Sequence, residues 1–164
     1  MGDRQHAVKS KKDARTPAGD ALSGLAFRVL RLGGLLASAG DRLAAPAGQT
    51  SARWQVLAAA EHAPSTVAHI ARALGLARQS VQRVADVLAR EGLVAYDDNP
   101  DHARAKLARL AARGRAALAA IQTAQRAWAN RLGAEIGEAD LRRALPALDL
   151  LLAALARRPG DDND

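Results

Sequence analysis

Apolar residues recur at spacings of three and four over long stretches of this chain, and the spacing changes character twice. From Asp20 onward Leu22, Leu25, Val29, Leu32 and Leu36 form one face of a predicted long helix, weakened in its middle by Gly33-Gly34. Gly40, Pro46 and Gly48 mark a predicted loop that ends at the capping pair Thr50-Ser51. A short helix follows with Trp54, Val56, Leu57 and Ala60 as its candidate core, stopped by Pro64-Ser65-Thr66, which also caps the next helix. Two further helices are predicted over 67–74 and 78–91, with Gly92 as a C-terminal cap. Alternation then replaces helical spacing in Leu93–Asp97 and Lys106–Leu110, two strand-like runs around the turn-forming Asp98-Asn99-Pro100-Asp101. Helical spacing returns over 111–135 (Leu118, Ile121, Trp128, Leu132) and 138–157 (Leu141, Leu145, Leu148, Leu152, Leu155). Pro146 either kinks this last helix or marks its start.

The middle of this pattern has the spacing of a helix-turn-helix. Such a unit needs a small residue where its helices cross, a glycine able to adopt positive φ in the turn, and apolar anchors that lock the angle. Ala71 is the small residue and Gly75 the turn, while Ile70, Leu74, Leu76, Val81 and Val84 are the anchors. The second helix then opens with Arg78, Gln79, Ser80, Gln82 and Arg83 around the inward Val81. Arginine forks onto guanine, glutamine pairs with adenine and serine adapts to either base, so these side chains suit DNA base edges. The strand pair beside them reads as a wing, in which Arg104 and Lys106 are candidates for the phosphate-rich minor groove. The alternative for Arg104 is a local ion pair with Asp101.

Composition narrows the class. Of 164 residues 41 are alanine and 23 leucine, against four aromatics and eight valines, which favours helices and excludes an all-β fold. Alanine buries little area, so a core built this way needs closely approaching helices or a second chain. The leucine faces at both ends of the chain therefore suit a seam in a homodimer. The absence of cysteine excludes a disulfide scaffold, a thiolate metal site and a catalytic thiol. No apolar run approaches the ~18 residues that span a bilayer, and residues 1–20 have no apolar stretch of a secretory leader. The expected location is the cytoplasm, on the nucleoid, with no membrane partner. The net charge of +7 concentrates in residues 1–19 and 53–113, while 114–164 is balanced. Such a distribution attracts phosphate backbones, or alternatively an anionic surface.

Other chemistry is thinly represented. His6, His62, His69 and His102 lack the tight spacing of a zinc site, and no Ser, His and Asp share a recognisable catalytic context. Neither metal, cofactor nor catalytic residue is expected. Trp54 and Trp128 are candidates for an aromatic ligand pocket or for core, and Arg31, with Arg28, could pair a ligand carboxylate or lie on a solvated face.

Thr50–Leu57, the helix-turn-helix at 67–86, Glu91-Gly92-Leu93-Val94 and Asn99-Pro100-Asp101-His102 together make the chain similar to the MarR family of bacterial transcriptional regulators over about residues 20–157. The resemblance implies a mainly α fold with a small β-hairpin wing, a winged helix-turn-helix flanked by long dimerisation helices. It also implies binding to palindromic double-stranded DNA, with repression often relieved by a small phenolic or other aromatic acid. Three positions depart from the family pattern: Ala103 precedes Arg104, so only the second arginine of the wing carries over, and Ala77 and Ala111 stand where helix-capping Ser and Thr are usual. A missing cap costs about 0.5–2 kcal/mol. The expected organisation is a disordered basic tail (1–19), an N-terminal dimerisation helix and loop (20–50), a DNA-binding domain (51–110), C-terminal dimerisation helices (111–157) and a short tail (158–164). Two rival readings remain: a DNA-binding regulator without a small effector, and a basic helical module on anionic surfaces. Gln79, Ser80 and Gln82 speak against the second, since they contribute nothing to a lipid patch.

Overall fold

A computed structural model describes residues 15–156 apart from positions 62, 101 and 103. Most of the basic tail, His6, His62, Asp101 and the segment 158–164 lie outside the described residues.

The first helix, α1 (Pro17–Ala44), starts three residues earlier than the apolar pattern indicates. Its start is set by chemistry rather than by leucine spacing: the Thr16 hydroxyl accepts from the Gly19 N–H, and Pro17 occupies the first turn, where its missing N–H costs nothing. The helix runs unbroken through Gly33-Gly34 and includes Gly40, which was expected in a loop. Gly40 is helical and buried because α2 (Ser51–Ala59) crosses there; a Cβ on it would lie 2.6 Å from the Ser51 hydroxyl. The crossing is tied by the Ser51 N–H, which donates to Asp41 Oδ1 at 2.7 Å. A single 3-10 turn, Ala45–Ala47, closed by Gly48 at φ 69°, connects the two helices.

The chain continues through β1 (Ser65–Thr66), α3 (Val67–Leu74), α4 (Arg78–Arg90), β2 (Val94–Asp97) and β3 (Leu107–Leu110). The three strands form an antiparallel sheet in the order β1-β3-β2, with Val94 opposite Leu110 and Thr66 opposite Leu107. Strand β1 is absent from the sequence pattern because two residues carry no periodicity, and Thr66 also caps α3 by accepting from the His69 N–H. Gly75, at φ 64°, makes the turn between α3 and α4. Leu76 was expected to anchor this turn but is 46% exposed, since the left-handed residue before it swings its side chain to solvent. Ala77 and Ala111 sit at helix N-caps with no side-chain bond.

Two long helices complete the chain, α5 (Ala112–Ile136) and α6 (Glu138–Ala156). Pro146 lies inside α6, eight residues past its start, and so does not begin it. The core is built from α2, α3, α4, the sheet and the first half of α5, with Leu57, Ile70, Leu88 and Leu118 almost fully enclosed. At both ends of the chain the apolar faces stand open: Phe27, Leu30 and Leu35 on α1, and Leu150, Leu152 and Leu155 on α6, are all at least 60% exposed. No residue of α6 is buried. By length and mean hydropathy the stretch Pro17–Ala47 also suffices to cross a membrane. This corrects the expectation that no apolar run is long enough for a bilayer: Arg28 and Arg31 divide the stretch, but its mean hydropathy stays high.

Candidate nucleic-acid interface

The first two turns of α4 present the basic and amide side chains together. Arg78, Gln79, Ser80 and Arg83 are exposed, whereas Val81, Ala85 and Leu88 hold the opposite face in the core. Arg78, Gln79, Gln82 and Arg83 line one open groove. A second groove, of about 190 Å³, runs between α4, the start of α3 and the wing, lined by Arg78, Gln82, Tyr96, Arg104 and Lys106 among others. Arg78 and Gln82 belong to both, so the helix and the wing form one continuous basic surface. Ser80 lines neither groove, though it is exposed on the same helix.

Gln82 is half-buried and turned toward the wing. Its Nε2 donates to Asp86 Oδ1 at 2.8 Å and to the Tyr96 hydroxyl at 3.1 Å, and that hydroxyl donates to Asp86 Oδ1 at 2.9 Å. Burial, then the hydrogen bond to Asp86 and its negative charge, push the Tyr96 phenol up to about 12. It therefore stays protonated, and able to donate, throughout the neutral range. Sequence reasoning missed Tyr96 and Asp86; the available signal was that Tyr96 is the chain's one tyrosine, on a strand beside the candidate reading helix.

Arg109 spans the wing, its Nε 2.6 Å from Asp97 Oδ2 and its Nη2 3.1 Å from Oδ1. The hydrogen bonds from Arg109 hold the Asp97 carboxyl below its ordinary range. Asp97 thus braces the two strands instead of contributing only to the acidic loop. At the far end of α4, Arg53 forks onto the Glu91 carboxylate (2.9 and 3.1 Å) and Arg113 Nη1 donates to the Glu91 carbonyl at 2.8 Å, anchoring the helix to α2 and α5.

A separate cleft of about 380 Å³ lies between α1, α2 and α5, with Gly33, Leu36, Trp54, Gln55, Gln125 and Trp128 on its walls. It brings the two tryptophans together. Arg31 does not join them: at about 100° per residue it points away from the face that carries Gly33, Leu36 and Gly40, and it is exposed. Among the described residues no three His, Asp or Glu side chains converge as a metal site.

Residues 47–105 match the profile of the MarR family. An uncharacterized protein of Mycobacterium tuberculosis (strain H37Rv) is 39% identical over 141 residues, 85% of this chain and 99% of that protein. The crystal structure of the M. tuberculosis transcriptional regulator MosR in complex with DNA is similar at 28% identity and a TM-score of 0.67, over 80% of this chain and 98% of that one. The transcriptional repressor CouR bound to a 23-mer DNA duplex is similar at 25% identity and a TM-score of 0.67, over 88% of this chain and all of that one.

Proposed function

The chain belongs to the MarR family of DNA-binding transcriptional regulators, proteins that are not enzymes, and from that premise we propose a homodimeric repressor of a palindromic operator, released by a small aromatic acid. The observation that carries the reading is the basic surface that joins Arg78, Gln79, Gln82 and Arg83 on α4 to Arg104 and Lys106 on the wing. A duplex laid on it meets base-reading side chains at its centre and cations at its edge, the division of labour that sequence-specific recognition requires. Residues 51–110 then read DNA, while 20–50 and 111–157 supply the dimer seam.

Two copies related by a twofold axis would each present one α4, which is why the operator is palindromic. The exposed leucines of α1 and α6 support the seam, since patches of this kind on a chain without further core mark association. The effector reading rests on the cleft between α1, α2 and α5. Its paired tryptophans suit an aromatic ring, and Gln55 and Gln125 offer hydrogen bonds to a polar group. Arg31 is no longer part of that reading. Such a protein works in the cytoplasm, on the nucleoid. The test is a gel shift on the DNA upstream of the protein's own gene, with and without a panel of aromatic acids. A shifted band that a panel member abolishes is expected; a band indifferent to all of them leaves a regulator without a small effector, and no band removes the operator reading.

A further inference from the structure

A short hairpin has little stability of its own, and its direction must be set by what it packs against. Here the wing meets α4 through a closed triangle of polar atoms. Gln82 and Asp86 stand one turn apart on the same face of α4, and Tyr96 reaches them from the third position of β2. The Gln82 amide nitrogen lies within hydrogen-bond distance of both Asp86 Oδ1 and the Tyr96 hydroxyl, which are themselves bonded to each other. Forking onto adenine needs the amide turned outward with its N–H and carbonyl side by side, whereas here the amide nitrogen is turned toward Asp86 and the wing.

We infer that Gln82, Asp86 and Tyr96 are positioning residues, a clamp that holds the wing against the reading helix so that Arg104 and Lys106 face the same groove as Arg78. This inference rests on the reading of α4 and the wing as the DNA surface, and it changes the role of one residue within it: Gln82 sets geometry and does not read sequence. Val94, Ala108 and Leu110 root the strands in the core, so loosening the clamp frees the part of the wing beyond Tyr96 and leaves the packing of Val81, Ala85 and Leu88 in place. Its members are half-buried, where a hydrogen bond is stronger than on an open surface.

The test uses the full chain as Tyr96→Phe, which removes only the hydroxyl, and as Gln82→Ala. Without DNA, amide hydrogen exchange is followed across the wing and across α2 and α5. Faster exchange confined to residues 94–110 is expected in both variants. With DNA, affinity is measured against salt on the upstream site, on random duplex and on a series of single base-pair changes. Both variants should bind about five- to tenfold more weakly on every sequence. The slope of log affinity against log salt should become shallower by about 0.9 for each phosphate contact the wing gives up, with base preferences unchanged. A merely structural loss would lower thermal stability and leave that slope alone. Relaxed preference at one base pair in Gln82→Ala would make Gln82 a reader and overturn the clamp, as would unchanged wing exchange in Tyr96→Phe. If the unaltered protein binds no DNA, the DNA reading is lost while the exchange measurement still decides whether Tyr96 holds the wing.

Discussion

Glycines in this chain do opposite things depending on what stands beside them, which only the folded structure reveals. Gly114, in the first turn of α5, is buried against the entry to β2, and a Cβ there would drive into the Leu93 carbonyl oxygen, itself the acceptor for the Ala111 N–H at 3.0 Å. Backbone cannot give way as a side-chain tip can. Gly114→Ala should therefore cost about 2–4 kcal/mol in urea denaturation, the upper range for overpacking. Gly133, near the end of the same helix, meets nothing within 4 Å, and Gly133→Ala should stabilise by about 0.5–1 kcal/mol through backbone entropy alone. Equal effects at the two positions would remove the packing argument. In sequence both are merely glycines in a helical stretch. The same limit explains Arg31 and Gln82. Each has a residue type suited to the role first assigned to it, but helical phase turns one from the cleft and a tertiary hydrogen bond turns the other toward the wing.

At the level of elements the pattern was far more legible, because α3, α4 and the wing obey local rules. Thr66 caps and Gly75 turns, and the spacing of Ile70, Ala71, Val81 and Ala85 packs α3 against α4. What stayed hidden was β1, too short for any period, and the true start of α1, which depends on the hydroxyl of Thr16 and not on leucines. Since α4 and the wing are distinct elements sharing one groove, their cations should be separable by experiment. Arg83 stands on the reading helix, so Arg83→Ala should weaken binding to the specific site by about 1–3 kcal/mol and spare random duplex. Arg104 stands on the wing, so Arg104→Ala should weaken all sequences alike and lower the salt slope by about 1. Fluorescence anisotropy titrations on specific and random duplexes at several salt concentrations check both. An Arg83→Ala loss that is equal on both duplexes would make that side chain a phosphate contact. An unchanged slope in Arg104→Ala would take the wing off the DNA.

For the whole molecule the decisive fact is the unequal distribution of burial. The core closes within the middle of the chain, from Val56 to Leu118, whereas α6 buries nothing and most of α1 lies open. The alanine-rich composition first suggested a chain short of core; the structure localises that shortage to the two terminal helices. Covering them with a second copy accounts for leucines at both ends, and it also accounts for a first helix apolar enough to cross a membrane yet interrupted by Arg28 and Arg31, which a bilayer core disfavours. Leu30 and Leu155, 77% and 80% exposed, are the most open leucines of the two faces. The unaltered protein should sediment at twice the 17.2 kDa chain mass, and Leu30→Glu with Leu155→Glu should shift it toward a single chain. Because the middle of the chain needs no partner to close, hydrogen exchange in α4 should stay slow in that variant. Operator affinity should fall by about 100-fold or more, since two linked reading helices lose their effective concentration when they separate. A native chain that sediments as a folded monomer would remove the seam, and partition of that monomer into lipid vesicles would assign the open face of α1 to a bilayer instead.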